Sequence, residues 1–298
     1  QKDDEYLPAH AAFSHRYLDI APSFSYEKNM RAIRISGKSQ IPSVEQTRGR
    51  VSDANPLVLT GGNPDLRQAY TATFSYMDNL FMSKDSGFSI GMSLNAFCTL
   101  NPIVSRSFYF TEDTELNMYD GYLAHAGSIL NTFTNATDPA YSVDAGVSFA
   151  RRDQKLNLSS SLSLSGAFES RPQYLGNGIA HVSTSRVNVK LTEMYRPSRN
   201  FRLNFTANST YTNASSDASG PIAQILATNA SLTLKYDFSH GYFINSDTNV
   251  IWHQDLSGSG RNNLNIPAGV EIGKRFEKNG LVINVGAYDL LNRGSAYS

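Results

Sequence analysis

Phe201-Arg-Leu-Asn-Phe-Thr-Ala-Asn-Ser-Thr-Tyr211 puts Phe201, Leu203, Phe205, Ala207 and Tyr211 on odd positions, with Ser209 the polar exception. Arg202, Asn204, Thr206, Asn208 and Thr210 take the even ones. Successive strand side chains point to opposite faces, so the stretch predicts a strand apolar on one side and polar on the other. The alternation returns at residues 88–98, 156–168 and 231–238, and less regularly at 141–149, 187–195, 270–276 and 281–287. About twelve such strands are expected, each beside its neighbour in the chain. Many approach the 9–11 residues that a tilted strand needs to cross a membrane, whereas soluble sandwich strands are nearer 5–6.

Composition fits a two-faced sheet. The 298 residues carry 26 Lys+Arg against 26 Asp+Glu, so no basic field invites nucleic acid. Charged residues are 17% of the chain, below the usual quarter of soluble domains. Mean hydropathy is −0.34, and Ser, Asn and Thr replace the missing charge. There is no apolar run long enough for a membrane helix, and Tyr and Phe, at 16 each, are too abundant for a disordered chain. The lone Cys98 excludes an internal disulfide framework.

Short and long connections take turns. Tight ones are expected near residues 27–29, 84–87, 151–154, 197–200, 239–241 and 278–280, and long polar ones near 38–66, 105–139, 169–180, 214–223 and 257–264. That describes an all-β, antiparallel, up-and-down transmembrane barrel with short turns at one end. The soluble alternative, a sandwich, solenoid or surface adhesin, would carry more Lys and Glu on its polar face to guard its edges. Tyr17, Tyr26, Tyr70, Tyr195, Tyr242 and Trp252, near strand ends, suit either interfacial girdles or ordinary cross-strand packing.

At the first long connection the residues become specific. Pro42-Ser43-Val44-Glu45-Gln46 is followed by Asn55-Pro56-Leu57 and then Gly62-Asn63-Pro64-Asp65-Leu66. This resembles the "PS-x-x-Q", "NPL" and "GNP-x-L" series of TonB-dependent receptor barrels of gram-negative outer membranes. Ala21-Pro22-Ser23-Phe24 resembles the opening of their preceding strand, and Ala287-Tyr288-Asp289-Leu290-Leu291-Asn292 resembles the "v-y-D-L-L-N" of their penultimate strand. The resemblance covers nearly the whole chain. It implies about twelve strands of a larger barrel of roughly 22, with residues 1–298 one partial barrel domain lacking the plug and the last strand. It further implies multi-pass placement in the outer membrane among its lipids, coupling to the TonB complex through the plug, and import of an unidentified nutrient (siderophore, cofactor, peptide or glycan). A passive porin is the nearest alternative. With strand 281–291 running outward, every long connection falls outside and every tight turn in the periplasm.

No enzyme is expected. The six His are isolated, and H-E-x-x-H, G-x-S-x-G, P-loop and C-x-x-C patterns are missing, so neither a metal, a cofactor nor a catalytic set is expected. Candidate ligand contacts are charged and aromatic loop residues on a rigid scaffold. In the first long connection these are Glu45, Gln46, Arg48, Arg50, Asp53, Asn63 and Asp65. In the second they are Tyr109, Glu112, Asp113, Glu115, Tyr119 and Asp120. Arg34, Arg202, Asn204 and Lys235 are the expected lumen-facing residues.

Overall fold

A computed structural model describes residues 17, 19–83, 87–175, 178–258, 262–276 and 280–291. Expectations for Asp3, Asp4, Glu5, His10 and His15, for turn positions 84–86, 278 and 279, and for the chain from Asn292 onward lie outside the described residues.

β1 (Ser23–Lys28) and β2 (Arg31–Gln40) form a hairpin through Asn29 and Met30, both at positive φ. A long segment then holds α1 (Val44–Thr47), β3 (Val51–Ser52) and β4 (Val58–Gly61). After β5 (Ala69–Ser83) and β6 (Phe88–Leu100) comes a second long segment. It carries β7 (Ile103–Tyr109), β8 (Thr114–Leu116), β9 (Tyr122–Ala124) and β10 (Ile129–Asn135). Consecutive hairpins follow: β11 (Ala140–Asp153), β12 (Leu158–Leu175), β13 (Gly178–Tyr195), β14 (Phe201–Ser216), β15 (Gly220–Asp237) and β16 (Tyr242–Asp255). The short β17 (Asn262–Asn265) pairs with β16 before β18 (Ala268–Phe276) and β19 (Leu281–Ala287).

Twelve strands form one path, β1-β2-β5-β6-β11-β12-β13-β14-β15-β16-β18-β19, the number the alternation predicts. Every pairing along it is antiparallel between chain neighbours or across a long segment, the topology of an up-and-down barrel wall. Among the described residues β1 and β19 pair on one side only, so the sheet is open.

Register gives each face a chemical character, because residues directly opposite share a face. Phe205 sits opposite Leu232 and Leu203 opposite Leu234, while Asn208 sits opposite Asn229 and Thr206 opposite Ser231. Apolar residues on the first face stay open: Ile35, Val143, Leu164, Val187, Leu232, Ile272 and Val285 are 42–76% exposed. An apolar face left bare over a whole sheet needs an apolar medium. At the tight-turn end of that face, aromatic rings follow one another along Tyr195, Phe201, Tyr236 and Phe238, with centroids 4.5–6.2 Å apart. The Lys274 ammonium lies 4.4 Å above the Tyr242 ring and 5.0 Å above Phe276, as a snorkelling cation does at a membrane boundary.

Two expected long connections are corrected. Residues 169–180 lie mostly in β12 and β13, each 18 residues long, and residues 214–223 mostly in β14 and β15, which meet across a tip at 217–219. Past the apolar band both faces of a hairpin can be polar, so charge there does not stop the backbone ladder. Of the three that remain, 257–264 is partly strand, since β17 begins at Asn262, and the two largest, 38–66 and 105–139, are folded. Of the buried apolar residues, Leu59, Leu66, Tyr119, Ala124, Leu130 and Ala136 all lie in or beside these segments. Among the described residues the clustered core thus sits in the connections, while Ala69, Ala180 and Phe243 are buried singly in wall strands.

Candidate functional site

The two long segments build one cap. Ser43 starts α1 with a capping box: its hydroxyl accepts from the Gln46 N–H at 3.2 Å, and the Gln46 side chain accepts from the Ser43 N–H at 2.9 Å. The chain then returns on itself, with the Gly62 N–H donating to the Arg48 carbonyl at 3.1 Å and the Asn63 N–H to Gln46 at 2.6 Å. A Cβ on Gly62 would stand 2.5 Å from backbone atoms of Glu45 and Arg48, so only glycine fits this return. Asn55 and Asn63 close side-chain turns by accepting from the Leu57 and Asp65 N–H groups.

The segments are then joined. β4 pairs in parallel with β10, and β10 pairs antiparallel with β7, giving the sheet β3-β4-β10-β7. Asn63 Nδ2 donates to the Phe133 carbonyl at 2.9 Å. Leu59, Tyr119, Ala124 and Leu130 form the core, backed by Val51, Phe108, Phe110, Leu116 and Tyr122. The Tyr119 hydroxyl donates to the Gly62 carbonyl at 2.8 Å and meets the Thr132 hydroxyl at 3.0 Å. Burial pushes the Tyr119 phenol up from its ordinary range; burial first and then Asp53 do the same to Tyr122.

A cavity of about 600 Å³ opens where the segments meet. Glu45, Arg48, Arg50 and Asp53 line it from the first segment, and Ser105, Asn131, Thr132 and Phe133 from the second. Four expected contact residues are thus brought together. The others are placed differently. Gln46 and Asn63 hold the turn by their own hydrogen bonds, and Asp65 is exposed beside it. Tyr109 is 67% exposed at the end of β7. Glu115 pairs with Leu123 across the β8–β9 hairpin, and Glu112 turns the chain before it. Asp113 accepts from the Ala126 N–H at 2.8 Å, which with His125 holds its carboxyl below the usual range. Asp120 occupies a left-handed turn. Tyr119 is 5% exposed and is a strut of the cap, because its hydroxyl has two buried partners. The cavity residues of the second segment went unforeseen; 129–135 lacks clean alternation, and parallel pairing to β4 has no local sign.

Below the cap the polar face of the wall continues. Arg34 lies opposite Ser75, Arg202 opposite Lys235 and Asn204 opposite Thr233. Asn95 donates to Asp144 at 2.8 Å, and Asn188 to Asn208 at 2.9 Å and Thr210 at 2.7 Å. At the hairpin tips the His181 ring nitrogens lie 3.3 Å from Asp138 and from Asp217. The His181 N–H, then its ring, hold the Asp217 carboxyl below its ordinary range.

One comparison decides what this two-faced wall is: the model of the outer membrane protein beta-barrel family matches residues 3–297. The chain belongs to the outer membrane protein beta-barrel family. In such a barrel the bare apolar face is the lipid side, and the Ser/Asn/Thr face lines the lumen. Membership points to the outer membrane of a gram-negative cell. No curated protein and no solved structure matches the chain.

Proposed function

We propose that this outer membrane β-barrel chain forms the wall and outer mouth of a TonB-dependent import receptor for a polar nutrient. The observation that carries the reading is the cap: two long connections folded into one body, with a charged cavity at the mouth of a polar-faced wall. A passive pore needs only a constriction there. A charged cavity lined by Glu45, Arg48, Arg50 and Asp53 suits capture before passage. The ordered "PS-x-x-Q", "NPL" and "GNP-x-L" series supports the same reading, since Ser43, Gln46, Asn55 and Asn63 of those motifs hold the cap's turns by hydrogen bonds. In this reading the partners are outer-membrane lipid, the TonB complex acting through a plug, and the imported solute; no catalytic step and no bound cofactor are involved.

The test is uptake of candidate nutrients by cells carrying the full-length protein, with and without an intact TonB complex. Uptake that needs both the protein and TonB supports the proposal. Uptake that persists without TonB indicates a porin, and surface attachment without uptake indicates an adhesin.

A further inference from the structure

Register sorts the lumen face of β12–β15 into an unusual composition. From β12 it presents Ser159, Ser161, Ser163 and Ser165. From β13 and β14 it presents mainly Thr and Asn, with Met194 and Val182, and three cations: Arg186 opposite Thr212, Lys190 opposite Asn208, and Arg202 opposite Lys235 of β15. Lys190 borders a groove of about 500 Å³ on this face, shared with Asn208, Asn229, Ser231 and Asn249 and holding no acid. At about 3.3 Å per residue, the levels of Arg186, Lys190 and Arg202 are spaced roughly 13 and 20 Å apart along the wall.

Acids border the lane without entering β13 or β14: Asp144 on β11 shares its level with Arg186, with Ala167 between them. Glu169 at the top of β12 is paired with Arg171, and Asp237 at the foot of β15 with Arg275 at 2.5 Å. Glu271 on β18 accepts from Asn245 and Asn284, and Asp247 faces the lumen from β16. No lumen-facing position of β13 or β14 is acidic. Among the described residues Arg186, Lys190, Arg202 and Lys235 make no ion pair within 4 Å. Cations outside any ion pair at successive depths, with hydroxyls and amides among them and Lys235 within reach of the Glu271 charge, attract an anion at each level without trapping it at one.

We propose that the lumen face of β12–β15 is a lane for an anionic solute bearing carboxylate, phosphate or sulfate groups. This deepens the import reading and rests on it for the presence of a water-filled lumen. The test places a reporter thiol in the lane. In full-length protein carrying Cys98→Ser and Asn208→Cys, reaction rates with an anionic and a cationic methanethiosulfonate of similar size are measured in outer membranes, each relative to free thiol. The anionic reagent is expected to react about fivefold faster at low salt, a ratio that falls toward two with Lys190→Gln and shrinks as salt rises. A reactive thiol with a ratio of one or less overturns the lane and leaves the import reading standing. A thiol sealed from both reagents, in barrels that remain heat-modifiable on gels, overturns the lane and the lumen assignment together.

Discussion

Removing one oxygen from the cap should loosen it while leaving the wall intact. In Tyr119→Phe the ring still fills its place among Leu59, Ala124 and Leu130, so the change is confined to the hydroxyl. That hydroxyl has two partners, the Gly62 carbonyl at 2.8 Å and the Thr132 hydroxyl at 3.0 Å, and Thr132 is itself 6% exposed. Leaving buried partners short of a hydrogen bond costs about 1–3 kcal/mol. Because the Thr132 hydroxyl can rotate to another acceptor, the loss should fall near about 2 kcal/mol, roughly thirtyfold in the open population of the cap. Where opening is fast relative to cleavage, proteolysis follows that population. Protease added outside intact outer membranes should therefore cut the cap segments of Tyr119→Phe about thirtyfold faster than wild type, with the barrel's heat-modifiable mobility on gels unchanged. A cap cleaved at the wild-type rate would refute the strut assigned to Tyr119. Loss of the heat-modifiable band would refute the separation of cap from wall.

Charge should distinguish the two faces of the wall. Leu232→Arg, on the bare apolar face, should cost about 2–4 kcal/mol near the bilayer midplane and reduce the folded fraction measured by urea titration in lipid vesicles. Asn229→Arg, on the opposite face, should leave it nearly unchanged. Gly62→Ala should release the cap as Tyr119→Phe does, since the added Cβ meets backbone 2.5 Å away; unchanged protease resistance would count against the tight return. Acid should act on the turn that Asp113 holds. Its folded-state pKa lies below the ordinary 3.8, so the stabilisation is fully present above that value and is lost as pH falls through the lower folded value. Amide exchange near Ala126, corrected for its intrinsic pH dependence, should thus keep its protection from pH 7 to 5 and lose it only below about 3.8; a loss complete above pH 5 would refute the role given to the Asp113 carboxylate.

The wall was legible because its cause is local. From Phe201 to Tyr211 every second residue but Ser209 records which medium it faces, and a two-residue period survives without knowledge of partners. Strand ends were less legible. At Glu169, Arg171 and His181 the apolar face stops while the backbone ladder does not, so a change in composition was read as a change in structure. The cap was legible only in pieces. Ser43, Asn55 and Asn63 mark turns through short-range hydrogen bonds. The pairing of Leu59 with Leu130 spans two connections and two wall strands, and no nearby residue encodes it. Tyr119 shows the same limit, since its burial cannot be deduced without knowing that Gly61 leaves room for its ring and that the Gly62 carbonyl accepts from its hydroxyl.

The parallel pairing of β4 with β10 also bears on how such a mouth can diversify. Connections that stand apart can each lengthen, shorten or change sequence alone, and recognition can drift one loop at a time. Here Thr60 of one connection and Asn131 of the other are paired neighbours that also border the same cavity. An insertion in either shifts the register of both, and a new residue in one must find room against the other. Substitutions that alter recognition should therefore arise as matched pairs across the two segments, and a graft from a sister barrel should succeed only when both segments are exchanged together.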